Sequence, residues 1–203
     1  MKIFNDIYAI NSGIYCRYDR EGKMNNFYKC AQGVDVVPLM MALKTKAYLW
    51  NQNTLRTDHP ETAHSQVNDI WLRFNDVSNT ETVVDDRESI NYPAFFALPQ
   101  AQELIFALMA RVRGERLGRC LITNLPVGCV IDAHVDGGAP AEYYERYHIV
   151  LHSGKGVMFR CGDETINMLT GEIWWFNNQL EHEIINNSAD DRIHLIVDIR
   201  VSK

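Results

Sequence analysis

The chain has 203 residues, 46% of them hydrophobic and 23% charged, with a formal net charge of -6 at pH 7. That is enough to bury one sizeable core, so residues 1–203 are expected to form a single domain. An acidic balance without clustered Lys and Arg argues against a phosphate-tracking nucleic-acid groove, and no apolar run approaches the length of a membrane span.

The opening Met1-Lys2-Ile3-Phe4-Asn5-Asp6 has no apolar stretch after its charge, which disfavours a secretory leader. Cys16, Cys30, Cys120, Cys129 and Cys161 are odd in number and contain no CxxC pair. Free thiols in a reducing cytoplasm are the expectation. Val37 to Trp50 reads as a helix, with Pro38 near its start and then Leu39, Met40, Met41 and Leu43. His59 and His64 flank a turn-like Asp58-His59-Pro60-Glu61 and read as surface residues. Asp69-Ile70-Trp71-Leu72-Arg73-Phe74 alternates like a strand, and the polar stretch from Asn75 to Arg87 reads as a surface loop. Pro99 to Arg113 is a second helix. Pro99 sits at an early helical position, Leu104, Ile105, Leu108, Met109 and Val112 follow at three- and four-residue steps, and Gly114 is the stop.

From Arg119 onward nearly everything reads as β. Short runs at Cys120–Leu125, Cys129–His134, Arg146–His152, Val157–Cys161, Thr165–Leu169, Glu172–Asn177, His182–Asn187 and Arg192–Arg200 are punctuated by glycine- and asparagine-rich turns. Such spacing indicates a sandwich or a rolled-up barrel. Two strands alternate informatively. Arg146, His148, Val150 and His152 stand against Tyr147, Ile149 and Leu151. Likewise Arg192, His194, Ile196, Asp198 and Arg200 stand against Ile193, Leu195, Val197 and Ile199. Each strand has an apolar row and a polar, cationic row. The polar row faces either solvent or a polar lumen whose outer, apolar side is covered by the N-terminal helices; alternation alone leaves both open. Trp174 and Trp175 read as core.

His134-Val135-Asp136 puts an imidazole and a carboxylate two residues apart at a strand end, pointing to one face and within reach of one metal. His182, at the start of a later strand, could add a second imidazole. Two His and one carboxylate on one face of an octahedron suit non-haem Fe(II), with positions left open. Arg192 follows His182 by ten residues across an Asn- and Asp-rich turn; in a hairpin the two would share the lumen. Its planar fork matches a carboxylate with two parallel hydrogen bonds. Arg146 and His148 form a second cationic pair.

Residues from about 120 to 198 resemble the aspartyl/asparaginyl β-hydroxylase family, and among its members the proline-hydroxylase-like ones. The resemblance rests on His134-Val135-Asp136, Arg146-Tyr147-His148-Ile149, Phe159-Arg160-Cys161, Gly171 to Phe176, Glu181-His182-Glu183, and Arg192 leading to Ile196-Val197-Asp198. It implies a mainly β fold with N-terminal helices: a double-stranded β-helix (a cupin-like jelly roll) over residues 119–203, with residues 1–118 packing on it. The activity it implies is Fe(II)- and 2-oxoglutarate-dependent dioxygenation, using O2 to hydroxylate an amino acid or an amino-acid residue of a peptide. His134, Asp136 and His182 would bind iron. Arg192 would clamp the distal carboxylate of 2-oxoglutarate with Thr123 as hydroxyl partner, while Arg146 and His148 would hold its chelating end. Asp136 separates this chain from animal members with Gly there, and it argues against halogenation, which needs that coordination position. Arg73 is a candidate for a substrate carboxylate. Two rival readings are a cupin-like metalloenzyme working without 2-oxoglutarate and a non-catalytic, small-molecule-binding jelly roll; the Arg192 spacing speaks against the first.

Overall fold

The computed structural model describes residues 25–60, 62–78 and 87–202. Met1 to Asp6, Cys16 and most of the expected 75–87 loop lie outside them. In chain order the elements begin with β1 (Phe27–Ala31), α1 (Val37–Thr45), a 3-10 turn (Ala47–Leu49), α2 (Leu55–Asp58) and β2 (Asn68–Phe74). Next come β3 (Ile90–Asn91), α3 (Pro93–Ala97), α4 (Pro99–Val112), β4 (Gly114–Leu125), β5 (Val130–His134) and α5 (Gly138–Tyr143). The remainder is β6 (Glu145–His152), β7 (Val157–Cys161), β8 (Glu164–Ile166), β9 (Ile173–Phe176), β10 (His182–Asn186) and β11 (Arg192–Val201). No described helix is long and apolar enough to cross a membrane.

Two antiparallel sheets make the architecture: seven strands in the order β1-β9-β6-β11-β4-β2-β3, and four in the order β5-β10-β7-β8. The crossing order is that of a double-stranded β-helix, as the resemblance implied. β11 lies centrally between β6 and β4, so each of its side chains meets a neighbour on both sides. Leu195, Val197 and Ile199 are fully buried, and they share a cluster with Tyr147, Ile149 and Leu151 of β6, Leu39 and Leu43 of α1, and Ile105 and Leu108 of α4. The helices therefore cover the apolar rows, which decides between the two readings of the alternation: the polar rows face inward. Burying each such aliphatic side chain contributes about 1.5–3 kcal/mol. The inner face carries a separate cluster, including Val150, Phe159, Phe176 and Ile184.

The stop of α4 differs from expectation. Arg113, not Gly114, takes the left-handed conformation (φ 53°) that closes the helix, at a cost of about 1–2 kcal/mol for a side-chain-bearing residue. Gly114 already starts β4, where a Cβ would stand 2.5 Å from Ile199 Cγ2, so the glycine serves close strand packing. A second departure concerns β2. Its register against β4 shifts between Trp71, opposite Leu121, and Arg73, opposite Cys120. This irregularity turns Arg73 away from the face that simple alternation assigns it.

Candidate metal centre

β10 and β5 pair so that His182 and His134 are direct cross-strand partners. Opposed residues of an antiparallel pair project to one face with closely spaced Cβ atoms, so 48 residues of chain separation collapse to a ring-centroid distance of 4.3 Å. Asp136, two residues beyond the end of β5, completes the group. One ligand atom from each of His134, Asp136 and His182 lies within 4.8 Å of the others. The carboxylate stands 3.8 Å from His134 Nε2 and 3.9 Å from His182 Nε2.

Both imidazoles are fixed by the backbone of their own strands. His134 Nδ1–H donates to the Asp132 carbonyl at 2.7 Å, and His182 Nδ1–H donates to the Leu180 carbonyl at 2.9 Å. A carbonyl only accepts, so each Nδ1 carries the proton and each Nε2 lone pair is left for a cation. His134 Nε2 is buried with no hydrogen-bond partner, an orphan that a metal would satisfy. Burial lowers the His182 pKa despite the opposing pull of Asp136, which keeps the ring neutral as a ligand must be. For Asp136, burial pushes upward, but Arg146 and the two imidazoles outweigh it, and the pKa falls below the usual carboxylate value. The donor set thus fits a divalent cation with one face of its coordination sphere open.

Cys161 is the partner of His182 on the other side, in β7. Sequence distance concealed this neighbour. Its thiol contacts the Asn177 carbonyl at 3.3 Å and is not one of the clustered donors, and burial pushes its pKa up to about 12.

Arg146 reaches the centre through Asp136. Its Nε and Nη2 meet Asp198 as a fork at 2.8 and 2.9 Å, and Nη1 donates to Asp136 Oδ2 at 2.6 Å. Burial disfavours the charge, yet these two carboxylates raise the pKa well above the usual value. The resemblance implied a direct hold on the chelating end of 2-oxoglutarate; here the guanidinium orients the candidate metal-binding carboxylate, because Asp136 and Asp198 flank it.

Deeper in the lumen the inward rows of β4, β6 and β11 meet. His194 is opposite Thr123, Arg192 opposite Leu125 and Ile196 opposite His148, so all share one face. Arg192 is 1% exposed, and no carboxylate among the described residues bonds it. Nη2 donates to His194 Nδ1 at 2.9 Å and lies 3.4 Å from His148 Nδ1, whereas Nε and Nη1 are buried with no acceptor. Burial alone takes its pKa down to about 9, still protonated at neutral pH. Thr123 Oγ1 is equally buried and unpartnered. Leaving such groups unmet costs about 1–3 kcal/mol apiece, more for a charged one. A guanidinium and a hydroxyl lacking an acceptor on one lumen wall are what an incoming carboxylate requires.

A cavity of about 770 Å³ opens beside His134 and Asp136. Arg56, His59, Thr62 and His64 from the N-terminal half form one wall, with Arg119, Leu121, Arg146 and Ile196 on the barrel side. The surface reading of His64 is overturned. The segment containing it runs beside β5, where Asp132 N–H donates to the Ala63 carbonyl and Val130 N–H to Gln66 Oε1. That brings the His64 ring within 4.8 Å of His134. His59 is exposed, as expected, but it too lines the cavity. Arg73 does not line it. Nε donates to the Gly118 carbonyl, Nη2 to the Ser89 carbonyl, and Nη1 bonds Asn91, all consequences of the register shift in β2.

The model of one family, described as aspartyl/asparaginyl beta-hydroxylase, matches residues 42–201. The match extends N-terminally well past the region that carried the resemblance and takes in β2 and α4. No curated protein matches the chain. Among solved structures, an oxidoreductase of the 2OG-Fe(II) oxygenase family from Burkholderia pseudomallei superposes with a TM-score of 0.55 at 14% identity, covering 86% of this chain and 84% of its own. A prolyl hydroxylase from Trichoplax adhaerens, in complex with a hypoxia inducible factor peptide fragment, gives 0.55 at 10% identity over 87% and 84%. The viral collagen prolyl hydroxylase of Paramecium Bursaria Chlorella virus-1 gives 0.54 at 9% identity over 88% and 97%. At these identities the likeness is one of fold.

Proposed function

This chain belongs to the aspartyl/asparaginyl β-hydroxylase family; from that premise we propose that it is an Fe(II)- and 2-oxoglutarate-dependent hydroxylase in which His134, Asp136 and His182 hold the iron and the Arg192 wall holds 2-oxoglutarate. The observation that carries this assignment is the pairing of a three-donor cluster with a buried, carboxylate-free guanidinium on the adjoining wall. With O2 and 2-oxoglutarate, the bound iron supplies the oxidising power that turns an unactivated C–H into C–OH, with succinate and CO2 as co-products.

The protein's part is positional. His134 and His182 present Nε2 along directions set by their own backbone carbonyls, and Arg146 fixes the rotamer of Asp136. Arg192 takes the distal carboxylate of 2-oxoglutarate through its unmet Nε and Nη1, and the Thr123 hydroxyl donates to the same group. His148, beside Arg192 and between the two halves of the site, faces the chelating end. The inner apolar residues Phe159 and Phe176 close the lumen around the cosubstrate and strengthen each charged contact by excluding water. With iron bound, the Asp136 carboxylate would take the coordination position that a halide needs, which favours hydroxylation. The substrate is an amino acid or an amino-acid residue of a peptide, held in the cavity beside Asp136 so that one C–H faces the metal.

Anaerobic addition of Fe(II) and 2-oxoglutarate tests the reading. A weak visible charge-transfer band is expected when the two chelate together, followed by succinate release when O2 is admitted. Failure to bind either Fe(II) or Mn(II) would sink the assignment of the triad.

A further inference from the structure

Beside Arg192 lies a buried imidazole pair whose protons are placed by geometry. His148 of β6 and His194 of β11 are both buried, and their Nδ1 atoms stand 3.1 Å apart with the rings at 82° to each other. Two lone pairs at that distance repel, so one of the two nitrogens carries a proton and donates to the other. Arg192 decides which. Its Nη2 donates to His194 Nδ1 at 2.9 Å and is farther from His148 Nδ1, at 3.4 Å. A guanidinium accepts nothing, so His194 Nδ1 is the unprotonated nitrogen and His148 Nδ1–H donates to it. A neutral ring has a single N–H. His194 therefore bears its proton on Nε2, which is buried without a partner, and His148 Nε2 is left as a lone pair.

Burial holds both rings neutral, and the charge of Arg192 acts in the same direction. The other ionisable neighbours of His148 are Arg146 on its own strand, His182 of β10 and Arg56 of α2, and all oppose a further positive charge. The carboxylates on the adjoining elements are engaged: Asp136 and Asp198 bond Arg146, and Asp69, opposite Thr123 on β2, bonds Arg56. Phe159 of β7 and Phe176 of β9 pack against His148 and also against His182, a shared aromatic layer between the pair and the candidate metal ligands.

Resting on the functional reading above, we propose that the His148–His194 pair takes up one proton from solvent when 2-oxoglutarate binds, at His148 Nε2, with His194 Nδ1 as the acceptor that holds the resulting imidazolium. His148 faces the chelating end of the cosubstrate, and a lone pair there would repel a carboxylate oxygen. With the added proton His148 donates at both nitrogens, Nδ1–H to His194 and Nε2–H to the carboxylate. The distal carboxylate, seated on Arg192, offsets the charge that otherwise disfavours the imidazolium. The two ends of the cosubstrate are thereby linked through Arg192, His194 and His148. His194 is a positioning residue: it touches Arg192 and His148, not the reacting atoms.

Calorimetric titration of the Mn(II)-loaded protein with 2-oxoglutarate, repeated at about pH 7 in PIPES, HEPES and Tris, counts the protons. These buffers differ in ionisation enthalpy, and the slope of the measured heat against that enthalpy is the number taken up. About half to one proton per 2-oxoglutarate is expected, and affinity should tighten about threefold to tenfold per unit as pH falls from about 8 to 6.5. His148→Gln donates an amide N–H without titrating, so it should bind 2-oxoglutarate with uptake near zero and an affinity almost flat in pH. His194→Leu removes the acceptor of His148 Nδ1–H and should at least about halve the uptake, whereas His194→Asn, whose amide oxygen accepts, should restore it. Binding of 2-oxoglutarate to the parent protein without proton uptake overturns the proposal alone, and that measurement decides even if a variant fails to fold. Full uptake in His148→Gln or in His194→Leu overturns it as well. Absence of any 2-oxoglutarate binding would remove the functional reading and the proposal together.

Discussion

The two faces of β6 and β11 are made from the same strands and are about equally buried, yet they are finished differently. Outward, Tyr147, Ile149, Leu151, Leu195, Val197 and Ile199 are 2% exposed or less and packed under α1 and α4. Inward, His148, Arg192 and His194 are likewise 3% exposed or less, but Arg192 Nε and Nη1 and His194 Nε2 have no partner. Apolar surface is satisfied by any well-shaped apolar neighbour. Buried polar groups are satisfied only by matched donors and acceptors, and nearly all such groups in folded proteins find them. Several such orphans, one of them a guanidinium, gathered on one lumen wall therefore point to ligand chemistry, and stability should reside on the opposite face.

The hardest way to break that division is to remove a metal ligand. His182→Ala should lower O2-dependent succinate formation by more than about a hundredfold, while far-UV circular dichroism stays that of the parent. Unchanged turnover would place the metal elsewhere. The complementary change, Leu195→Ala, should reduce unfolding free energy by about 2–5 kcal/mol in a urea titration, with Mn(II) affinity of the folded fraction unaltered. Loss of metal affinity at an outward leucine would show that the two faces are coupled.

Much of this division could be read from the sequence because period-two alternation survives wherever strands are long and regular. Each of the strand runs expected from Cys120 onward exists, although β4 begins well before Cys120, at Gly114, and β8 ends at Ile166, short of Leu169. His134, His182, Arg192, Thr123 and His148 face the lumen because β-pairing registers follow the alternation, and Asp136 joins them two residues past the end of β5. What escaped depends on tertiary context. β1 has no alternation of its own and forms because β9 offers a free edge. α5 begins Gly138-Ala139-Pro140, a turn-like start, and is held by Asn178 and Gln179 donating to the Ala141 carbonyl. Arg73 shares the phase of Trp71 in sequence, but the register shift sets it opposite Cys120, on the helix-covered side. His64 gave only its polar neighbours as a signal, and those point to the surface.

Smaller changes sharpen the contrast. Arg192→Gln should raise the 2-oxoglutarate requirement by about 2–4 kcal/mol, or about 30- to 1,000-fold, and leave Mn(II) binding nearly unchanged. Removing an unmatched buried cation should also leave unfolding free energy equal or higher. A parallel drop in metal affinity and stability would make Arg192 structural. The pH dependence follows from the same wall. Burial first, and Arg192 next, hold the pKa values of His148 and His194 well below the ordinary imidazole value. Both rings are neutral in the fold and gain protons near pH 6.5 when unfolded. Below that pH the unfolded chain binds more protons than the native one, so metal-free stability is full above about pH 6.5 and falls as pH drops. The slope approaches about 1.4 kcal/mol per pH unit for each ring. His194→Asn should remove about half a proton, averaged over the window, from that slope in urea melts between pH 7.5 and 5.5; an unchanged slope would mean that His194 is already charged.

Thr123→Val is the finest test because it is nearly isosteric and removes only a hydroxyl. The Thr123 hydroxyl has no partner in the fold, although its strand neighbours His194 and Asp69 are bonded. Were the hydroxyl a structural element, its loss would weaken the fold, as a broken buried hydrogen bond does. If instead it waits for the distal carboxylate beside Arg192, valine removes an unmet polar atom and the fold is as stable or slightly more so. Affinity for 2-oxoglutarate then falls by the worth of one hydrogen bond to a charged group, about 1.5–2 kcal/mol, or roughly tenfold to thirtyfold. Calorimetry with Mn(II) and 2-oxoglutarate reads the affinity, and a urea melt of the metal-free protein reads the fold. Opposite signs in the two measurements are the signature of a polar atom kept for a ligand. A loss in both would return Thr123 to the framework and leave Arg192 as the sole anchor of that carboxylate.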